Sequence, residues 1–306
     1  MKTLLIILFN IFLGAQNFPF FDGEKAYDYL LEQTIIGPRF PGSDGHNKMK
    51  VYLSNKLIHS CDTLLIDSHI IKHPYKNKQI EIANYYARFN LESKYRILLM
   101  AHWDTREFAD KDLNKSNHSK PIIGANDGAS GVAVLLMIAE ILKKHQLINI
   151  GVDLLFTDAE DMGKEGDINN FSIGARLFAK NVPDPRPNYA ICVDMVGDAD
   201  LQFKREYFSM IYAPDLVDEI WDLAYQLGFS EFTNEIGVPI IDDHYAFYNV
   251  TKIPSINIID FNYPNETTNY WHTLKDIPEY CSAKSLKIVG DVLLAYIFNK
   301  ESNYDE

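Results

Sequence analysis

From about residue 80 onward, short apolar runs alternate with stretches of helical period. Ile80 to Phe89 predicts a strand, and Tyr95 to Ala101, centred on Ile97-Leu98-Leu99-Met100, predicts a second. Gly128 to His145 has the helical period, with Val132, Leu135, Leu136, Ala139 and Leu142 on one side. Ile150 to Thr157 is strand-like, Ile173 to Lys180 a turn or two of helix, and Tyr189 to Val196 a buried strand. An amphipathic helix over Leu216 to Leu227, a strand over Ile253 to Asp260 and a last helix over Ala283 to Phe298 complete the series. This alternation predicts a single-domain α/β/α sandwich around a mixed, mostly parallel central sheet.

Such sheets bind ligands outside the carboxyl ends of their strands, and four of these strands end in polar residues. They are Ala101-His102, Thr157-Asp158-Ala159-Glu160-Asp161, Val193-Asp194 and Ile259-Asp260. Asp104, two residues past His102, can orient that imidazole. Gly124-Ala125-Asn126-Asp127-Gly128-Ala129-Ser130-Gly131 surrounds one acid with small residues ahead of a long helix. Asp127 suits a helix N-cap, but small residues on both sides suit the close approach of a metal or substrate. Glu160 and Asp161 enter one small site only if the backbone turns sharply between strand and loop. A cation bound by one acid, with its neighbour as general base, relieves their repulsion. Asp194 closes an apolar strand and needs a partner nearby, and His272 follows the aromatic pair Tyr270-Trp271. Carboxylates and imidazoles without thiolates suit a catalytic zinc.

The rest of the composition sets limits. The 306 residues are 47% hydrophobic and 23% charged, enough apolar material for a sizeable core. There is no Pro/Gly/Ser-rich linker and no internal repeat. A formal net charge of −13 argues against nucleic-acid binding and mildly favours substrates with a positive amino terminus. Met1-Lys2-Thr3, the apolar run Leu4 to Leu13 and Gly14-Ala15-Gln16 have the form of a secretory signal peptide. Residues 1–15 are therefore expected to be removed and 16–306 to form the catalytic domain, exported to the periplasm or secreted, with no integral membrane segment after cleavage. Cys61, Cys192 and Cys281 are scattered without metal-ligand spacing, and the sequence names no disulfide pair.

In order and wording these clusters resemble the zinc aminopeptidase superfamily that also contains the glutaminyl cyclases. The chain is most similar there to bacterial glutaminyl cyclases of the animal type. The resemblance runs from His102 to the final helix. It rests on His102-Trp103-Asp104, Gly124 to Gly131, Asp158 to Asp161, Asp194-Met195-Val196-Gly197, Asp242-Asp243-His244 and Trp271-His272-Thr273. It implies a zinc-aminopeptidase-like fold with zinc on Asp127, Asp161 and His272, and Glu160 as general acid/base. Asp194 and Asp242 would be further catalytic acids in a hydrogen-bond relay, and Trp271 a wall of the substrate pocket. His102 would sit beside that pocket. In two-metal aminopeptidases His102 and Asp194 would bind a second zinc.

The chain departs from the pattern twice. The superfamily usually has two glutamates where this chain has Glu160-Asp161, so the second acid is one methylene shorter. Animal cyclases carry a tryptophan in the following loop, whereas Met162 to Phe171 has none and Phe171 is expected to fill that space. The resemblance implies cyclisation of N-terminal glutamine on peptides and proteins with one zinc per chain. The alternative is an aminopeptidase with two.

Overall fold

A computed structural model describes residues 18–304. The expected signal segment and its cleavage point after Ala15 lie outside them. In chain order the elements begin with α1 (Gly23–Ile36), α2 (Asp44–Leu57), β1 (Thr63–Lys72), β2 (Gln79–Phe89) and β3 (Arg96–His102). Next come α3 (Ala129–Lys144), β4 (Gly151–Thr157), α4 (Ile173–Ala179), β5 (Tyr189–Asp194) and β6 (Phe203–Arg205). Then follow α5 (Tyr207–Tyr212), α6 (Pro214–Gln226), β7 (Phe232–Ile236), α7 (Asp243–Thr251) and β8 (Ser255–Ile259). A two-residue ribbon, β9 (Pro264–Asn265) with β10 (Thr268–Asn269), precedes α8 (Ala283–Ser302).

The central sheet has the order β1-β2-β4-β3-β5-β8. β4, β3, β5 and β8 run parallel, and β2 lies antiparallel to both β4 and β1. The predicted sandwich and its mixed sheet are thus present. Alternation along the strands divides the core. Ile97, Leu99, Ala101, Ile191 and Val193 face the large cluster under α1, α3, α6 and α8. Leu98, Met100, Ala190 and Cys192 face the smaller one under α4 and α7.

The helix over 128–145, expected to carry its apolar residues on one side, is buried almost all round, with Val134, Met137, Ile138 and Ile141 covered as well. It lies between the sheet and a further layer made by α1 and α8, so it has hardly any solvent face. Each such side chain contributes about 1.5–3 kcal/mol of burial. The cysteines are free, and Cys192 is core packing. No helix among the described residues is long and apolar enough to cross a membrane.

Two devices fix the carboxyl ends of the strands. Register places His102 of β3 opposite Thr157 of β4, and Asp194 of β5 opposite Ile259 of β8, so their loops leave from one edge. Glu206 fixes the loop entering α7. Its carboxylate accepts from the backbone N–H of Phe208 at 2.9 Å and of Ile240 at 3.0 Å, and lies 3.2 Å from His244 Nε2. Burial alone would raise the Glu206 pKa, but His244, Ser209 and the Phe208 amide hold it down to about 2.

This contribution, on the order of 3 kcal/mol, is complete above the ordinary value of 4.5 and is lost as pH falls towards about 2. Glu206→Gln should therefore lower stability by about 2–3 kcal/mol at neutral pH. Denaturant titrations at descending pH should show the difference from wild type shrinking below about 4.5. A difference that stayed constant across that range would assign Glu206 a packing role only.

Candidate metal centre

The turn after β4 carries two adjacent acids into one site. Ala159 between strand and acids has φ +57°, a left-handed conformation rare for a side chain with a Cβ, and it supplies the sharp turn their adjacency requires. Backbone bonds hold it there. The Ser172, Ile173 and Gly174 amides opening α4 donate to the carbonyls of Glu160, Ala159 and Asp158 at 2.8, 3.0 and 3.0 Å. From the other side, the Asp104 carboxylate accepts the Glu160 and Asp161 amides at 3.0 and 3.2 Å. Asp104 also lies 3.5 Å from His102 Nδ1, so it orients the imidazole and clamps the acid pair together.

The loop before α3 is clamped in the same way. Asp276 accepts the Asn126 amide at 2.7 Å and the Asp127 amide at 3.2 Å, tying this loop to the one that carries His272. Gly197 N–H donates to Asn126 Oδ1 at 2.7 Å, and Val196 N–H to Ser130 Oγ at 3.0 Å, so the loop after β5 is joined too. The N-cap of α3 is Gly128, with no side-chain cap, so Asp127 is free to face the site. Gly128 has φ +93°, and a Cβ there would lie 2.8 Å from the Asp104 carbonyl and 3.0 Å from His102 Cε1. Arg39, wholly buried ahead of α2, donates to the carbonyls of Trp103, Ile123 and Gly124.

These ties bring two triads together around Asp127. Asp127 Oδ2 and Asp161 Oδ1 lie 3.6 and 3.1 Å from His272 Nε2. On the other side Asp127 Oδ1 and Asp194 Oδ1 each lie 3.1 Å from His102 Nε2. Within each triad one donor atom per residue falls within 4.8 Å of the others. Asp127 Oδ2, Asp161 Oδ2 and His272 Nδ1 are buried without a hydrogen-bond partner. Unpartnered carboxylate oxygens beside an imidazole, with no thiolate, are a donor set that fits zinc.

Above the triads lies a cavity of about 370 Å³ lined by Asp127, Glu160, Asp161, Asp194, Asp242 and His272. Its walls are apolar: Phe171, Ile241, Ile259, Phe261 and Trp271. Trp271 stacks on His272 with ring centroids 3.7 Å apart. Burial, then Asp242, pushes the Glu160 carboxyl well above its usual range, and Ser172 Oγ donates to its Oε1 at 3.1 Å. Asp194 rises to about 7 through burial and the charges of Asp242 and Asp127, against the pull of His102. Burial works against the charge of Asp161 as well, but His272 and Arg106 beside it keep its pKa low. Asn257 Nδ2 donates to Asp242 at 2.5 Å.

Of the expected site residues, Glu160, Asp194, Asp242, Asp127, Asp161, His272, Trp271 and Phe171 line this one cavity. His102, expected beside the substrate pocket, does not. It is 1% exposed, and its Nε2 is covered by Asp127 and Asp194, each 3.1 Å away. Asp260, which ends its strand as the other acids do, is also elsewhere, accepting the Gln202 and Asn262 amides at 2.7 and 3.1 Å. Arg39, Arg106, Asp110, Ser172 and Asp276 were not foreseen. Only Arg106 and Asp110 carried a signal, an opposite-charge pair four residues apart just after the His102 cluster.

The chain is similar to proteins of known family and structure. The model of peptidase family M28 matches residues 84–297. A Bacteroides thetaiotaomicron glutaminyl cyclase solved with N-acetylhistamine is 34% identical, with a TM-score of 0.87 over 92% of this chain and 99% of that one. A Porphyromonas gingivalis glutaminyl cyclase is 32% identical, with a TM-score of 0.87 over 94% of this chain and 100% of that one. A Zn-dependent exopeptidase from Parabacteroides distasonis is 35% identical, with a TM-score of 0.87 over 92% of this chain and 99% of that one. No curated protein matches. This chain belongs to peptidase family M28, within the zinc-aminopeptidase-like superfamily that includes bacterial glutaminyl cyclases.

Proposed function

We propose that this protein is a zinc-dependent glutaminyl-peptide cyclotransferase, converting N-terminal glutamine of peptides and proteins to pyroglutamate with release of ammonia. The observation that carries this is Asp242. It stands in the same small cavity as Glu160 and the Asp127–Asp161–His272 triad, and is the first charge to act on Glu160. The glutaminyl cyclases among the similar structures support the same assignment.

Asp127, Asp161 and His272 would hold one zinc ion, which when bound supplies Lewis acidity towards the γ-carboxamide oxygen. The chain's own groups do the rest. Trp271, Phe171 and Ile241 would close around the glutamine side chain and exclude the water that would otherwise hydrolyse it. Confinement holds the α-amine against the amide carbon, and the bond from that nitrogen to the carbon closes the ring. Glu160 takes a proton from the attacking amine and gives it to the amide nitrogen, which departs as ammonia. Ser172 fixes Glu160 through Oε1. Asp194 and Asp242 would complete the relay, Asp242 being oriented by Asn257. The net charge of −13 attracts the positive terminus to the protein, and the form that attacks is the neutral amine.

A second possibility, an aminopeptidase with two zinc ions, rests on one observation: the His102–Asp127–Asp194 triad shares Asp127 with the first. Export to the periplasm or beyond is proposed on the N-terminal apolar segment alone.

Mass spectrometry of a glutamine-led peptide incubated with the zinc-loaded protein should show loss of one ammonia and an otherwise intact chain. Free glutamine and a shortened peptide would make the protein an aminopeptidase. Glu160→Gln should retain zinc and lose turnover by about 10²–10⁴-fold. Equal loss of metal would show that the roles of Glu160 and Asp161 are exchanged. Metal analysis at saturation should give one zinc per chain, and two would favour the hydrolase.

A further inference from the structure

The metal triad is asymmetric in how it is supported. Asp127 is positioned through its own backbone by Asp276. Asp161 and His272 come from loops about 110 residues apart in sequence, and both meet one ion pair that the proposed reaction does not use. Arg106 Nη1 lies 3.2 Å from Asp161 Oδ1 and also donates to the carbonyls of Asp161 at 3.1 Å and Gly163 at 2.5 Å. Its Nε and Nη2 bind both oxygens of Asp110 at 3.0 and 2.8 Å, the fork geometry that only arginine offers. Asp110 Oδ1 in turn lies 3.5 Å from His272 Nδ1. The ring closes through His272 Nε2 and Asp161 Oδ1 at 3.1 Å.

Each member of this ring has little freedom. Arg106 is buried, and Phe171 lies 5.7 Å from its guanidinium carbon. The Asp110 segment is stitched to the His272 loop by the bond from Lys111 N–H to the His272 carbonyl at 3.2 Å. A second stitch runs from Leu274 N–H to Asp112 at 3.1 Å. Asp110 lies on the Nδ1 side of the imidazole at 3.5 Å, outside hydrogen-bond contact, and Nε2 is the nitrogen that faces Asp127 and Asp161. Arg106 anchors Oδ1 of the shorter acid, and Oδ2 is the oxygen without a hydrogen-bond partner.

We propose that Arg106 and Asp110 act as one brace that positions Asp161 and His272 together, so that the zinc affinity of the site depends on this pair. The inference rests on the zinc site proposed above. It makes Arg106 the group that holds the shorter of the two adjacent acids in place.

The test is zinc titration of the full chain against a chromophoric chelator, with the visible spectrum of the cobalt-substituted protein as a second readout. Asp110→Ala and Arg106→Met should each weaken zinc binding about 10–100-fold and alter the cobalt spectrum. Arg106→Lys, which keeps the charge but not the fork, should recover only part of the loss. Because one ring is broken either way, the double variant should lose little more than either single one. The metal-free thermal midpoint of Asp110→Ala should stay near that of wild type, whereas Arg106→Met, which strips buried Asp161 and two carbonyls of their donor, should lower it. If Asp110→Ala fails to fold, Asp110→Asn, which keeps the shape, carries the same test. Wild-type zinc affinity in the brace variants, with lowered metal-free midpoints, would overturn the proposal and leave the pair a loop anchor. Asp127→Ala in the same titration separates the two ideas. If wild type and Asp127→Ala bind zinc alike, the metal site itself is wrong and the brace falls with it.

Discussion

The constraint on which the rest of this structure depends is the crowding of carboxylates at one edge of a buried sheet. Asp127, Glu160, Asp161, Asp194, Asp242 and Asp243 are all less than a tenth exposed, and the groups set against them are the imidazoles of His102 and His272 and the guanidinium of Arg106. Like charges at such distances cannot all ionise in a dry interior, so some must share protons or meet a cation. The pKa pattern shows the division. Glu160, Asp194 and Asp243 are driven upward by burial and by Asp242, whereas Asp161 stays low against burial because His272 and Arg106 face it. The acid beside the arginine and imidazole is therefore the one held low, and its neighbour one residue earlier is the one pushed up. A donor for a metal and a carrier for a proton require just that difference.

Holding the acids so close requires a backbone few sequences would adopt unaided. Ala159, Ser172, Met195 and His272 all have φ between +49° and +57°, and each adjoins, contacts or is a residue of the site. Such conformations cost on the order of 1–3 kcal/mol each and persist only when their surroundings over-determine them. Here the surroundings are loop-to-loop hydrogen bonds, added to the packing of Ala159 and Met195 in small apolar clusters. Asp104 clamps the 160–161 amides, Asp276 clamps 126–127, and Asn126 and Ser130 clamp 196–197. The apolar sheet fixes the height at which each loop starts, and these polar clamps fix where each side chain ends.

This division explains what was legible in the sequence. A buried strand leaves an apolar run, and an acid that halts it is visible, so β3, β4 and β5 and their terminal residues could be read directly. The same rule misplaced Asp260, because a strand end that caps its own loop has the same pattern as one that carries chemistry. The clamps left no local trace. Asp276 acts on a loop 150 residues away, and Arg39 on one 64 residues away. The first helices were hidden for a related reason. α1 buries Gln33, which donates to the Ala129 carbonyl, and α2 buries His46, which pairs with Asp158 at 2.9 Å, so polar residues stand where the helical period needs apolar ones.

The departure at Asp161 joins these strands of reasoning. An aspartate reaches about one methylene less than a glutamate, so the shift must be absorbed by loop position or by a partner that holds the carboxylate. The loop position is already spent: the Asp161 amide is tied to Asp104, and its carbonyl to Arg106. What remains is the side chain, and it too is held by Arg106, through the guanidinium that also grips the acid behind His272. The shorter acid and the buried arginine are therefore held as one unit, since the same guanidinium grips Asp161 and the acid behind His272.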